Sequence, residues 1–133
     1  MKISDLVITG TLITLDIADK IILHHIYPMI AVENVLGKKV WASSRSGYRP
    51  IEWEYKMGRS GSSQHTFQGK GAVDWTCEDF RNNKQELIDL VISMTDYKRI
   101  AIYDGFIHCD YKGDERLLFS SDAKSNWKLI KKF

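Results

Sequence analysis

The sequence predicts an α+β domain, an antiparallel sheet that carries a candidate site with helices packed on one side. Apolar residues recur at helical spacing over 16–36 and 77–94, β-rich runs fall at 39–45, 99–103 and 106–111, and Asp104-Gly105 between the last two is a hairpin signal. With 133 residues and 44% hydrophobic content the chain fits one core and is short for two, so residues 1–133 are read as a single domain.

The first fifteen residues stay open. Leu6-Val7-Ile8 and Leu12-Ile13-Thr14-Leu15 favour a strand by propensity and fit a short helix by pattern. From 16 to 36, Ile17, Ile21, His25, Met29, Val32 and Leu36 mark one helix face, Pro28 kinks or divides it, and Gly37 stops it. His24 and His25 are adjacent there and diverge by about a quarter turn, so they are read as surface or boundary residues and not as shared chelators.

Lys39–Arg45 reads as a strand running into the turn-rich Ser46-Gly47-Tyr48-Arg49-Pro50. Glu52 and Glu54 flank Trp53 in a strand-like alternation and are expected to face solvent. Met57–Ser63 is an exposed loop leading to His65, and Asp74 closes a short apolar strand that begins near Gly71. The second helix runs from Cys77 to Met94 with Thr76 or Glu78 near its start. In the final hairpin, strand alternation turns His108 and Asp110 to one face and Cys109 to the other.

Composition excludes several classes. The net charge is +2, and basic residues are scattered apart from Lys124, Lys128, Lys131 and Lys132, which is not the footprint of a dedicated nucleic-acid binder. The richest apolar stretch, Ile21–Val35, is broken by His24, His25, Pro28, Glu33 and Asn34 and falls short of the ~20 residues that cross a bilayer. Met1–Leu6 lacks the form of a signal peptide, so a chain made in the cytoplasm, with no membrane insertion, is expected. Cys77 and Cys109 lack CxxC spacing and read as reduced thiols. Trp41, Trp53, Trp75 and Trp127 read as core or rim residues, and the glycines form no phosphate-binding pattern.

His65, Asp74 and His108 are the candidate metal ligands. Two imidazoles and a carboxylate leave a fourth tetrahedral position open, as catalytic zinc sites do and structural ones do not. His65 is followed by glycines that let the backbone bend around an ion, and Asp74 lies at the end of a small-residue strand that gives a carboxylate no structural reason to be there.

Ser46-Gly47-Tyr48-Arg49-Pro50, then Ser63-Gln64-His65 with Gly69, Gly71, Ala72 and Asp74, then Phe106-Ile107-His108-Cys109-Asp110, resembles the zinc carboxypeptidases and endopeptidases of peptidase family M15, above all the small phage and bacterial members. The hedgehog signalling domain has a similar zinc-site fold. The resemblance implies one zinc ion per chain, held by His65, Asp74 and His108, and hydrolysis of a peptide bond in the stem or cross-bridge of peptidoglycan. It also implies a monomer acting on the wall after release or as part of a virion.

Such chemistry needs a carboxylate to carry a proton to the leaving nitrogen. The family's glutamate before the last histidine is missing, and the eight residues between His65 and Asp74 exceed the family's usual spacing. Asp104 matches the acidic position if the hairpin is shorter, and equally suits its turn. Asp110 could carry the proton or orient a ligand. Arg49 resembles the residue that grips a substrate carboxylate or carbonyl, although an exposed arginine in a turn can be a plain surface charge. Ser63 is expected to hydrogen-bond substrate or cap the loop, and Tyr48 to pack beneath. The rival expectation is a zinc-stabilised binding or structural module without catalysis.

Overall fold

The computed structural model describes residues 1–8, 10–43, 45–122 and 126–133. The open N-terminal segment begins as a 3-10 turn, Ile3–Leu6, and Val7 then makes an isolated parallel bridge with Tyr48.

Helix α1 spans Leu15–Ile21, with the Thr14 hydroxyl accepting from the Ile17 N–H, and α2 spans Tyr27–Leu36, ended by Gly37 at φ 71°. Between them Ile22–Ile26 form a π turn. Pro28 has no N–H to give the carbonyl four residues back. That carbonyl, of His24, accepts the Tyr111 hydroxyl instead at 2.6 Å, so the expected division becomes a widened turn in front of the proline.

Strand β1 is Val40–Ala42, shorter than the 39–45 run, of which Ser44 lies outside the described residues. Helix α3 is Ile51–Lys56, which overturns the strand-like reading around Trp53: Pro50 opens the helix, and Glu54, expected in solvent, is fully buried. Strand β2 is Ala72–Cys77, so Asp74 lies inside the strand and does not close it. Because Cys77 belongs to β2, helix α4 starts later than expected and spans Phe80–Met94, with Asp79 at its N-cap. Strands β3, Arg99–Ile102, and β4, Ile107–Asp110, form the expected hairpin around Asp104-Gly105. Two strands not read in the sequence follow, β5 at Leu117–Ser121 and β6 at Trp127–Lys132. Lys128, Lys131 and Lys132 lie exposed on β6, and Lys124 falls outside the described residues.

The strands form one sheet in the order β1-β2-β4-β3-β5-β6. Its pairs are antiparallel except β3 with β5, so the sheet is mixed and not antiparallel throughout. The cause is which edge is free: β2 already occupies the outer edge of β4, so after Asp110 the chain crosses the open end of the hairpin to the free edge of β3, where Leu117 pairs with Arg99, and runs parallel to it. Met29, Val32 and Leu36 of α2 and Leu87, Ile88 and Val91 of α4 share one apolar cluster with Val73, Trp75, Cys77, Ile100, Ile107 and Cys109. Alternation then sends Asp74, His108, Asp110 and Arg99 to the opposite face. Helix α3 stands on that side, because its Glu54 lines the same cleft as Asp74 and His108. Among the described residues no helix is long and apolar enough to cross a membrane.

Candidate metal centre

Strand pairing brings two of the candidate ligands together, since Asp74 on β2 lies directly opposite His108 on β4. The third, His65, sits in a 3-10 turn, Gln64–Thr66, where the Ser63 hydroxyl accepts from the His65 N–H at 3.2 Å. The stretch Ser46–Arg49 frames both incoming segments through its backbone. The Asp74 N–H donates to the Ser46 carbonyl (2.9 Å), the Arg49 N–H donates to the His65 carbonyl (2.8 Å), and His65 Nδ1 donates to the Gly47 carbonyl (2.9 Å). Gly47 has to be glycine because a Cβ there would run into the backbone of Leu6.

The facing atoms are His65 Nε2, Asp74 Oδ1 and His108 Nδ1. They are separated by 3.3 Å (His65–Asp74), 3.3 Å (His65–His108) and 2.9 Å (His108–Asp74). A tetrahedral zinc with bonds of about 2.0–2.1 Å to N and O holds such atoms about 3.3 Å apart, so the set matches an ion with little movement. All three residues are buried, and their donor atoms form a group able to hold a metal ion.

Each imidazole is oriented from behind. His65 uses the Gly47 carbonyl, and His108 donates its Nε2–H to Asp110 Oδ2 at 2.8 Å, leaving Nδ1 toward the centre. His108 and Asp110 therefore share a face, as alternation requires. Asp110 is fully engaged: Arg99 grips it with Nε at 2.9 Å from Oδ1 and Nη2 on Oδ2, and the Lys112 N–H adds a bond to Oδ1 at 2.9 Å. Its position is that of an orienting carboxylate. Burial works against ionising Asp110, but the bonds from His108 and Arg99 hold its carboxyl down to about 2. Burial alone would lower His108, and the carboxylates of Asp110 and Asp74 push it up to about 9. For Asp74, bonds from the two imidazoles outweigh burial and hold the carboxyl well below the usual range.

The ligands open into a cleft of about 480 Å³. One wall is charged. Arg49 places Nη1 3.3 Å from Glu54 and Nη2 3.7 Å from Asp74, while Arg59 reaches the other Glu54 oxygen at 3.0 Å. Another part of the lining is aromatic, built from Tyr103, Phe106 and Trp127. Trp127 gives its indole N–H to the Tyr103 oxygen at 3.0 Å, lies 5.3 Å from the His108 ring, and carries the Arg99 guanidinium at 4.8 Å from its centroid.

Ser63 lines this cleft, and Arg49 does so with its donors already turned to Glu54, Asp74 and the Arg45 carbonyl. Tyr48 packs edge-on against Phe67, with centroids 5.7 Å apart, and is not among the cleft's lining residues. Asp104 is exposed in the hairpin turn and lines a separate hollow with Gly105, Phe106, Ser121 and Asp122. Glu54, Arg99 and Trp127 line the cleft without having been expected there. Helical periodicity after Pro50 would have turned Glu54 away from Glu52, whereas nothing local marked the other two.

Fold and site together define an α+β protein with a buried His-Asp-His group suited to a metal ion at the floor of an open cleft. No protein-family model, curated protein or solved structure matches the chain.

Proposed function

We propose that the chain is a zinc-dependent peptidase that hydrolyses peptide bonds in the stem or cross-bridge of bacterial peptidoglycan, as a phage or prophage wall hydrolase. The observation that carries this reading is the spacing of His65 Nε2, Asp74 Oδ1 and His108 Nδ1 around one point on the cleft floor. The order of its motifs, which resembles that of peptidase family M15, supports the substrate class.

When bound, zinc supplies a Lewis acid that polarises an amide carbonyl and makes water more acidic. The chain does the rest. Asp110 and the Gly47 carbonyl fix the two imidazoles, and Arg49 stands against the outer oxygen of Asp74, leaving Oδ1 to the centre. Tyr103, Phe106 and Trp127 give the substrate an apolar wall. Among the described residues of the cleft lining, Glu54 and Asp74 are the acidic side chains. With Asp104 in an exposed turn and Asp110 held by Arg99 and Lys112, the proton-carrying role falls to Glu54 once substrate draws Arg49 or Arg59 away from it.

The test is incubation of zinc-loaded protein with purified peptidoglycan, scored for new free amines and by mass analysis of the released muropeptides. His65→Ala is expected to abolish release and Glu54→Gln to suppress it with zinc retained, while Asp104→Asn leaves it intact. The second reading, a zinc-stabilised module without catalysis, is favoured by the double salt link that ties Glu54 to Arg49 and Arg59. Zinc binding with no amine release under any condition would decide for it.

A further inference from the structure

A chain of hydrogen bonds, buried from Trp75 to His25, runs behind the metal centre and closes on the segment that joins two of its ligands. It starts at Trp75, the residue after Asp74, whose indole N–H donates to the Tyr97 oxygen at 3.0 Å. Tyr97 lies 2.7 Å from His25 Nδ1, and His25 Nε2 lies 2.8 Å from the Lys70 carbonyl. A carbonyl only accepts, so Nε2 carries the proton and Nδ1 accepts from the tyrosine. The direction is thereby fixed from end to end: Trp75 to Tyr97 to His25 to Lys70. His25, expected at the surface or boundary, is fully buried between the rings of Phe67, Tyr97 and Tyr111.

The segment it holds needs holding. Phe67 adopts φ 56°, unusual for an aromatic residue, and its ring lies so close to Gly71 that a Cβ there would clash with it at 2.6 Å. A second anchor comes from α1, where Lys20 Nζ donates to the Phe67 carbonyl at 2.9 Å. Residues five apart point about 140° from one another on an α-helix. The π turn at Ile22–Ile26 draws Lys20 and His25 back toward one side, so both reach the same loop.

We propose that His25, assisted by Lys20, is a positioning residue for the metal centre: by fixing the Phe67 and Lys70 carbonyls it sets the loop between His65 and Asp74, and with it the affinity for the ion. This rests on the metal reading of the site.

The experiment is zinc titration of chelator-stripped protein against a chromophoric chelator for the unaltered chain, His25→Phe, His25→Gln, Lys20→Met and, as a control for lost stability, Val91→Ala in α4. His25→Phe is expected to weaken zinc about tenfold, within the range seen when groups behind a metal ligand are lost. His25→Gln, which can donate to Lys70 and accept from Tyr97, should recover part of the loss. Lys20→Met should weaken binding without emptying the core. Val91→Ala should lower thermal stability and leave affinity unchanged. Should His25→Phe fail to fold, His25→Gln and Lys20→Met carry the comparison. Unchanged affinity in the folded His25 and Lys20 variants beside a zinc-binding parent overturns the positioning role alone. No zinc binding by the parent overturns the metal reading and this role with it.

Discussion

His108 and Asp110, two residues apart on β4, are joined from Nε2 to Oδ2 at 2.8 Å, which commits the His108 N–H to the carboxylate and presents Nδ1 to Asp74. Asp110→Asn keeps the shape and removes the charge that holds this tautomer. Zinc affinity is expected to fall about 10- to 100-fold. Competition with a chromophoric chelator measures it, and an unaltered constant would contradict the orienting role.

Removal of zinc should cost stability that the ion supplies by mass action. At free zinc 100 times its Kd the gain is about 2.7 kcal/mol, which moves Tm by several degrees. Scanning calorimetry with zinc and with chelator gives the difference. In His65→Ala that difference should shrink toward zero.

Acid should weaken the fold through His25. Burial, the largest influence, lowers its pKa from 6.5 to about 3, against the opposing bond to Lys70. Between those values the unfolded chain binds a proton that the folded chain refuses, so stability falls as pH falls through the window, by at most about 1.4 kcal/mol per pH unit. Urea unfolding of chelator-treated protein across the window should show a steeper acid loss in the unaltered chain than in His25→Gln. Parallel slopes would refute the assignment.

Gly47→Ala tests the frame. The added methyl runs into the Leu6 backbone, which cannot yield as a flexible side chain would. Overpacking of this kind costs about 1–3 kcal/mol. Because the Gly47 carbonyl also takes the His65 Nδ1–H, zinc affinity should drop along with the urea midpoint. A variant losing stability alone would separate the frame from the site.

The site was more legible in the sequence than the sheet that carries it. His65, Asp74 and His108 do come together, as their residue types and motif order suggested, although the contact itself is made by long-range pairing of β2 with β4. Asp104-Gly105 makes its hairpin because turn chemistry acts over a few residues. The residues missed owe their places to distant partners. Glu54 is inside because Arg49 and Arg59 neutralise it there, and His25 because Tyr97 and the Lys70 carbonyl satisfy both ring nitrogens.

The sequence by itself determined the two long helical stretches, the Gly37 stop, the β3–β4 hairpin and the common face of His108 and Asp110, since each follows from local backbone preference and side-chain period. Only the tertiary structure decided that β5 runs parallel to β3, that Asp74 lies within β2, and that Trp127 packs against the His108 ring with Arg99 over its own. Those outcomes depend on which sheet edge is free and which buried charge finds a partner, and both are settled by contacts between segments far apart in the chain.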